Sequence, residues 1–312
     1  MPSASKIPPK FGEGFWRTGN QPVTPPLPSG FPTWLSRECR IELATAETYY
    51  IKEGEGIPVV LVHGLLGYSF CWRKNIPELA RHFKVFALDL AGCGQSGEVK
   101  TGDCGVSSWS HQLQQFLDAM KLEKVHLVGT SAGGAVAVDF TSQYPERVER
   151  MILVAPVNPF SRRVVWLSRI YRWSGPPMPL LRRLVRRMPQ LLPWFFRNRY
   201  YADPSRITPE TIPGYQEGLR EEISAQMLRQ SIRSWDSSQM ESQLARVNLP
   251  TLLVWGDQDK LVPPDCLPRL LSALPTAQAF VIPGAGHFCY EELPEVFNQE
   301  VIRFLRNEPS DF

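Results

Sequence analysis

Short apolar runs and longer amphipathic stretches alternate along most of this 312-residue chain. Residues 58–62, 85–90, 125–128, 151–154, 251–255 and 279–282 are rich in Val, Leu and Ile and too short for buried helices, so they predict strands. Residues 41–44 and 48–51 read as two further strands around a turn. Between most of the strands, apolar positions recur at helical spacing and predict helices over 111–121, 133–144, 264–274 and 292–306. Strands that are apolar throughout fit a sheet covered on both faces, and their alternation with helices predicts an α/β class with a mostly parallel central sheet.

The alternation breaks once, between about residues 158 and 248. That stretch is helix-rich in pattern and too long for an ordinary connection, and strands resume after it, so it predicts an inserted subdomain. The expected organisation is an N-terminal arm over 1–35, a core over 36–158 and 246–312, and a helical cap over 159–245. Eight prolines (Pro2, Pro8, Pro9, Pro22, Pro25, Pro26, Pro28, Pro32) fix φ and remove donors in the arm, which argues against regular structure there. Within the insertion, Pro176, Pro177, Pro179, Pro189 and Pro193 are expected to break it into short helices.

Composition removes several function classes. With 34 Lys plus Arg against 31 Asp plus Glu, the net charge of +3 is too near balance for a nucleic-acid binder. The six cysteines (Cys39, Cys71, Cys93, Cys104, Cys266, Cys289) show no C-x-x-C pair and no His spacing suggestive of zinc, so buried thiols in a reducing compartment are expected. The first residues lack the apolar stretch of a signal peptide, and no run of about 18 apolar residues occurs. A cytoplasmic protein is expected.

The chemistry begins after the strand 124–128 with Gly129-Thr130-Ser131-Ala132-Gly133-Gly134 and an apolar helical run. A bare G-x-S-x-G arises by chance in about one chain in ten of this length, but here it joins a strand to a helix. Such a turn strains the serine backbone, needs small neighbours, and sets Ser131 where free N–H groups favour negative charge. The bland reading is a Gly-rich turn with an ordinary N-cap serine. A serine nucleophile needs a base and an acid. His287, in Gly284-Ala285-Gly286-His287-Phe288, follows the last strand, and Asp257 and Asp259 follow the strand 251–255. His126 lies in a strand and reads as core. The order serine, acid, histidine belongs to one fold.

These residues resemble the α/β-hydrolase family, from about Arg40 onward. His63-Gly64-Leu65-Leu66-Gly67 looks like the family's oxyanion loop, and Asp89-Leu90-Ala91-Gly92-Cys93-Gly94-Gln95-Ser96 is similar to its D-x-x-G-x-G-x-S turn. The resemblance implies Ser131 as nucleophile, His287 as base, Asp259 as acid with Asp257 a turn residue, and the N–H groups of Leu65 and Ala132 as the oxyanion hole. His63 then shapes the loop. Serine in place of the Asp nucleophile argues against haloalkane dehalogenase and epoxide hydrolase chemistry. Glu292 stands where acyltransferase-like members carry Asp in H-x-x-x-x-D, and it is expected to cap the last helix. The expectation is a serine hydrolase of small-molecule esters with a hydrophobic acyl or aryl group, without metal or organic cofactor. Alternatives are a C–C bond (diketone) hydrolase and a ligand-binding or receptor protein with little turnover.

Residues 161–206 hold eleven Arg, no Lys and a single acid, Asp203. Interleaved aromatics supply the candidate substrate contacts Trp166, Trp194 and Phe195. Over 180–187 the doublets Arg182-Arg183 and Arg186-Arg187 fall four apart, with Leu180, Leu181, Leu184 and Val185 forming an apolar face. Two expectations follow: a helix that packs its apolar face and solvates its arginines, or a peripheral contact with an anionic membrane surface.

Overall fold

A computed structural model describes residues 38–100, 104–174, 176–219 and 221–309. The N-terminal arm expected over 1–35 lies outside the described residues. Eight strands form one sheet in the order β1-β2-β4-β3-β5-β6-β7-β8. They are β1 (Glu38–Glu42), β2 (Glu47–Glu53), β3 (Pro58–Val62), β4 (Lys84–Leu88), β5 (Val125–Thr130), β6 (Val148–Val154), β7 (Thr251–Gly256) and β8 (Ala277–Ile282). β2 pairs antiparallel with β1 and β4, and every other pairing is parallel.

The sequence explains which strands lie centrally. β5 and β7 are buried at every position, and β3 at every position after Pro58, as expected for strands covered on both faces. β8 sits at the edge, and only Ile282 is fully buried in it. The registers pair Val62 with Gly129, Thr130 with Val154, and Gly256 with Ile282. The carboxyl ends of β3, β5, β6, β7 and β8 therefore share one sheet edge, where open α/β sheets collect ligands.

Helices α1 (Ile76–Leu79), α2 (Val106–Ala119) and α3 (Ala132–Gln143) precede the insertion. Between β6 and β7 come α4 (Arg162–Ser174), α5 (Met178–Phe195), α6 (Thr211–Glu217), α7 (Glu221–Ser234) and α8 (Ser237–Leu244). After β7 come α9 (Leu267–Ala273), α10 (Cys289–Glu292) and α11 (Pro294–Leu305). The helix expected over 292–306 is thus two, divided at Leu293 (φ −130°, ψ 64°), because a residue before proline leaves the helical region.

Pro189 and Pro193 do not break α5, which runs 18 residues. Pro193 has no N–H for the Pro189 carbonyl four residues earlier, and Gln216 Nε2 of α6 donates to that oxygen instead, at 2.7 Å. The expected apolar face of α5 is also split. Leu181, Val185 and Leu192 are buried, whereas Leu180, Leu184 and Leu191 are exposed.

Candidate active site

Ser131 stands between β5 and α3 with φ 51° and ψ −117°, a conformation that costs about 1–3 kcal/mol unless its surroundings impose it. They do: Ser131 N–H donates to the Val154 carbonyl at 2.9 Å, and the Ser131 carbonyl accepts from Val157 N–H at 2.9 Å. Gly133 is required two residues on, because a Cβ there would lie 2.4 Å from the His63 carbonyl oxygen. A Cβ on Gly64 would stand 3.1 Å from Ser131 Cβ, so the loop after β3 runs against the serine.

That loop carries strain of its own. Gly67 N–H donates to the Gly64 carbonyl at 3.0 Å, closing a turn with Leu65 and Leu66 at its centre, and Leu66 takes φ 59°. Leu65 is half-buried, and Ala132 opens α3, where backbone N–H groups lack partners within the helix. Ala155, at the end of β6, is also left-handed at φ 40°. Strained non-glycine residues thus follow β3, β5 and β6 along the same sheet edge.

His63 is buried, and its tautomer follows from its partners. Leu90 N–H donates to Nε2 at 2.9 Å, so Nδ1 carries the proton and faces the Gly64 carbonyl at 2.8 Å. Burial lowers its pKa from 6.5 to about 4, so the ring is neutral and braces the loop. Leu90 is itself held by the D-x-x-G-x-G-x-S turn, where Ser96 Oγ donates to the Asp89 carbonyl at 2.7 Å and Asp89 accepts from Ser69 and Gln95 N–H, each at 2.7 Å. His126 is buried in β5 edge-on to Phe83, and burial lowers its pKa to about 4 as well.

Of the two aspartates after β7, Asp259 meets the histidine. His287 Nδ1 lies 2.7 Å from Asp259 Oδ2, and both side chains are buried. Asp259 Oδ1 accepts from Leu261 N–H at 2.7 Å and Val262 N–H at 3.0 Å, which fixes the carboxylate. Asp257 is exposed and accepts from Gly284 N–H at 2.8 Å, bridging the loops after β7 and β8. Ser131 sits on the same edge, and its hydroxyl makes no hydrogen bond to the His287 ring among the described residues; catalytic hydrogen bonds often tighten only when substrate binds.

Glu292 does not cap α11. Its Oε2 accepts from Gly286 N–H at 2.7 Å and Ala202 N–H at 3.0 Å, and its Oε1 from Asp203 N–H at 2.7 Å. The break at Leu293 puts Glu292 at the end of α10, where its side chain joins the His287 loop to the insertion. The neighbouring Glu291 is buried against Arg73 at 2.7 Å and accepts from the hydroxyls of Tyr201 (3.2 Å) and Tyr215, while Arg73 also donates to Thr211 Oγ1 at 2.8 Å. Burial, then the Glu291 carboxylate, pushes both tyrosine hydroxyls up. Local sequence pattern did not reveal this network.

Trp166 and Trp194 are exposed, and Phe195 packs between Trp194 and Tyr200. The aromatics beside the histidine are others: Phe288 stacks on Tyr200 at 4.6 Å and on Tyr215 at 5.7 Å. The Tyr200-Tyr201 doublet was the available signal. Among the described residues no group of three or more His, Cys, Asp or Glu could hold a metal ion, and no helix is long and apolar enough to cross a membrane.

The family model of the alpha/beta hydrolase fold matches residues 57–208 and 205–294. The chain is an α/β hydrolase. A 2-hydroxy-6-oxo-6-phenylhexa-2,4-dienoate hydrolase of Burkholderia cepacia is 28% identical to it over 274 residues, 81% of this chain and 89% of the relative. A 2-hydroxy-6-oxo-2,4-heptadienoate hydrolase of Pseudomonas putida is 29% identical over 272 residues, 84% of this chain and 94% of the relative. A thermophilic esterase from Thermogutta terrifontis superposes with a TM-score of 0.67 at 26% identity, covering 86% of the hydrolase and 98% of the esterase.

Proposed function

We propose that this hydrolase cleaves carboxylic esters with a hydrophobic acyl or aryl group through Ser131, His287 and Asp259. The observation that carries the reading is the buried Asp259–His287 pair on the same sheet edge as a serine held in a strained strand-to-helix turn. Asp259 accepts from Nδ1–H and so leaves Nε2 free as a base. Nε2 takes the Ser131 proton as Oγ attacks the acyl carbon, and the developing oxyanion meets the N–H groups of Ala132 and Leu65. His287 returns the proton to the leaving alcohol, then activates the water that releases the acid. Residues 159–245 act as a cap whose aromatics, Phe195 and Tyr200 beside Phe288 among them, select the acyl group. A cytoplasmic setting is supported by Cys71, Cys266 and Cys289, which are buried as thiols.

The second reading is C–C bond hydrolysis, which the two dienoate hydrolases among the relatives support. There the water oxygen would join the ketone carbon to give a carboxylic acid, and the carbon fragment would leave as a stabilised carbanion and take up a proton.

A fluorophosphonate probe should label the full chain at Ser131, and Ser131→Ala should abolish both labelling and hydrolysis of p-nitrophenyl esters. Retained labelling or turnover in that variant removes Ser131 from the chemistry. A panel of short, medium and long esters beside a 2-hydroxy-6-oxo-dienoate, followed by loss of its conjugated absorbance, separates the two bond types. Labelling with turnover of neither points to the receptor alternative.

A further inference from the structure

Most of the large apolar side chains exposed among the described residues lie on two consecutive helices. Trp166, Leu167, Ile170, Leu180, Leu184, Leu191 and Trp194 are all exposed on α4 and α5, with Trp166 at 62%, Leu180 at 53% and Trp194 at 52%. Elsewhere among the described residues only Ile57, Val281 and Val296 are comparably open, each alone. On α5, at 3.6 residues per turn, Leu180, Leu184 and Leu191 fall within about 40° of one another, beside rather than on the face that buries Leu181, Val185 and Leu192. The exposed Arg183 and Arg187 run along the outer border of this leucine stripe.

Charge is gathered in the same place. Residues 161–206 contain eleven of the 34 basic residues and one of the 31 acidic ones, so this stretch carries a net +10 and the rest of the chain a net −7. All eleven are arginine, whose planar guanidinium binds phosphate oxygens in pairs. We propose that the α4–α5 face is a docking surface for the headgroup region of an anionic phospholipid bilayer. Its leucines and tryptophans would enter the acyl boundary, and Arg162, Arg169, Arg183, Arg187 and Arg197 would meet lipid phosphates. Complementarity selects this occupant. A two-fold dimer through the same face would set Arg183 and Arg187 against their own copies. A nucleic acid would match the charge and leave the leucine stripe in water. The proposal holds whichever bond the active site cleaves.

The test is flotation of the full chain with vesicles of phosphatidylcholine alone, or with about one third phosphatidylglycerol, at about 0.05 M and about 0.5 M salt. The expected result is binding at least about tenfold stronger to the anionic vesicles at low salt, and weakened at high salt. Both Leu180→Ser/Leu184→Ser/Leu191→Ser and Arg183→Glu/Arg187→Glu should lose it while keeping the wild-type thermal transition. Absence of binding, equal binding to both vesicles, or variants that bind like wild type would overturn the proposal. So would a dimer in sedimentation that the leucine variant dissolves, or salt-sensitive binding to duplex DNA or transfer RNA that outcompetes the vesicles. Fluorophosphonate labelling of the same samples reads the catalytic proposal separately.

Discussion

The sheet edge and the α4–α5 face treat polar and apolar groups in opposite ways. Along the edge, three carboxylates are buried and each is given named partners: Asp259 two backbone N–H groups and His287, Glu292 three backbone N–H groups and Arg206, Glu291 a guanidinium and two phenols. On α4 and α5, apolar side chains stand in water beside arginines. Buried charge is tolerated only in fixed geometry, so the edge is rigid by construction. Exposed leucine contributes little to folding, so the other face is open to selection for what it touches.

The largest effect that would test this contrast is at Asp259. Asp259→Asn can keep Oδ1 as acceptor for Leu261 and Val262 N–H but turns an N–H toward His287 Nδ1. The ring then adopts the tautomer that cannot take a proton from Ser131, and turnover should fall on the order of 10⁴-fold with folding unchanged. A variant within tenfold of wild type on the ester panel would remove the pair from catalysis. Next, Glu291→Gln leaves Arg73 charged and buried without its carboxylate, and should cost about 3–5 kcal/mol in denaturant unfolding; a loss below 1 kcal/mol would mean water reaches the site.

His63 gives an acid signature. Its folded pKa of about 4 lies below the unfolded 6.5, so between these values the unfolded chain binds more protons and stability falls as pH falls. Across that window the loss from this residue approaches about 3 kcal/mol, and unfolding midpoints at pH 7, 6 and 5 should drop less steeply in His63→Gln; equal slopes would assign the acid sensitivity elsewhere. The smallest effect belongs to the other face: Leu184→Ser and Leu191→Ser should each change stability by no more than about 0.5 kcal/mol. A loss of 2 kcal/mol would show that these leucines pack after all, and would end the contrast.

Much of the fold was legible because burial on both faces writes itself as unbroken apolar runs: the strand expected at 58–62 is β3 residue for residue, and those at 125–128 and 251–255 differ from β5 and β7 only at their ends. At the margins the signal fades. The strand expected at 41–44 is β1 at Glu38–Glu42, whose Glu-Cys-Arg-Ile-Glu sequence has no apolar run to mark it. The serine turn and the Asp259 and His287 loops were legible because each is a local motif at a strand end. The Arg73–Glu291 pair spans 218 residues, and Gln216 rescues a carbonyl of another helix; neither has a local signature.

Glu292 has a consequence for how the insertion can open. Lifting residues 202–206 from the core would strip a buried carboxylate of three of its four donors, Arg206 among them, while Gly286 N–H still held it in place. That end of the insertion is therefore riveted, whereas α5 and α7 close over a small cluster of their own, Leu181, Val185 and Ala225. Amide exchange should accordingly be slow at Ala202 and Asp203 and faster along α4 and α5, so that the insertion yields first at the leucine face and last beside the histidine loop.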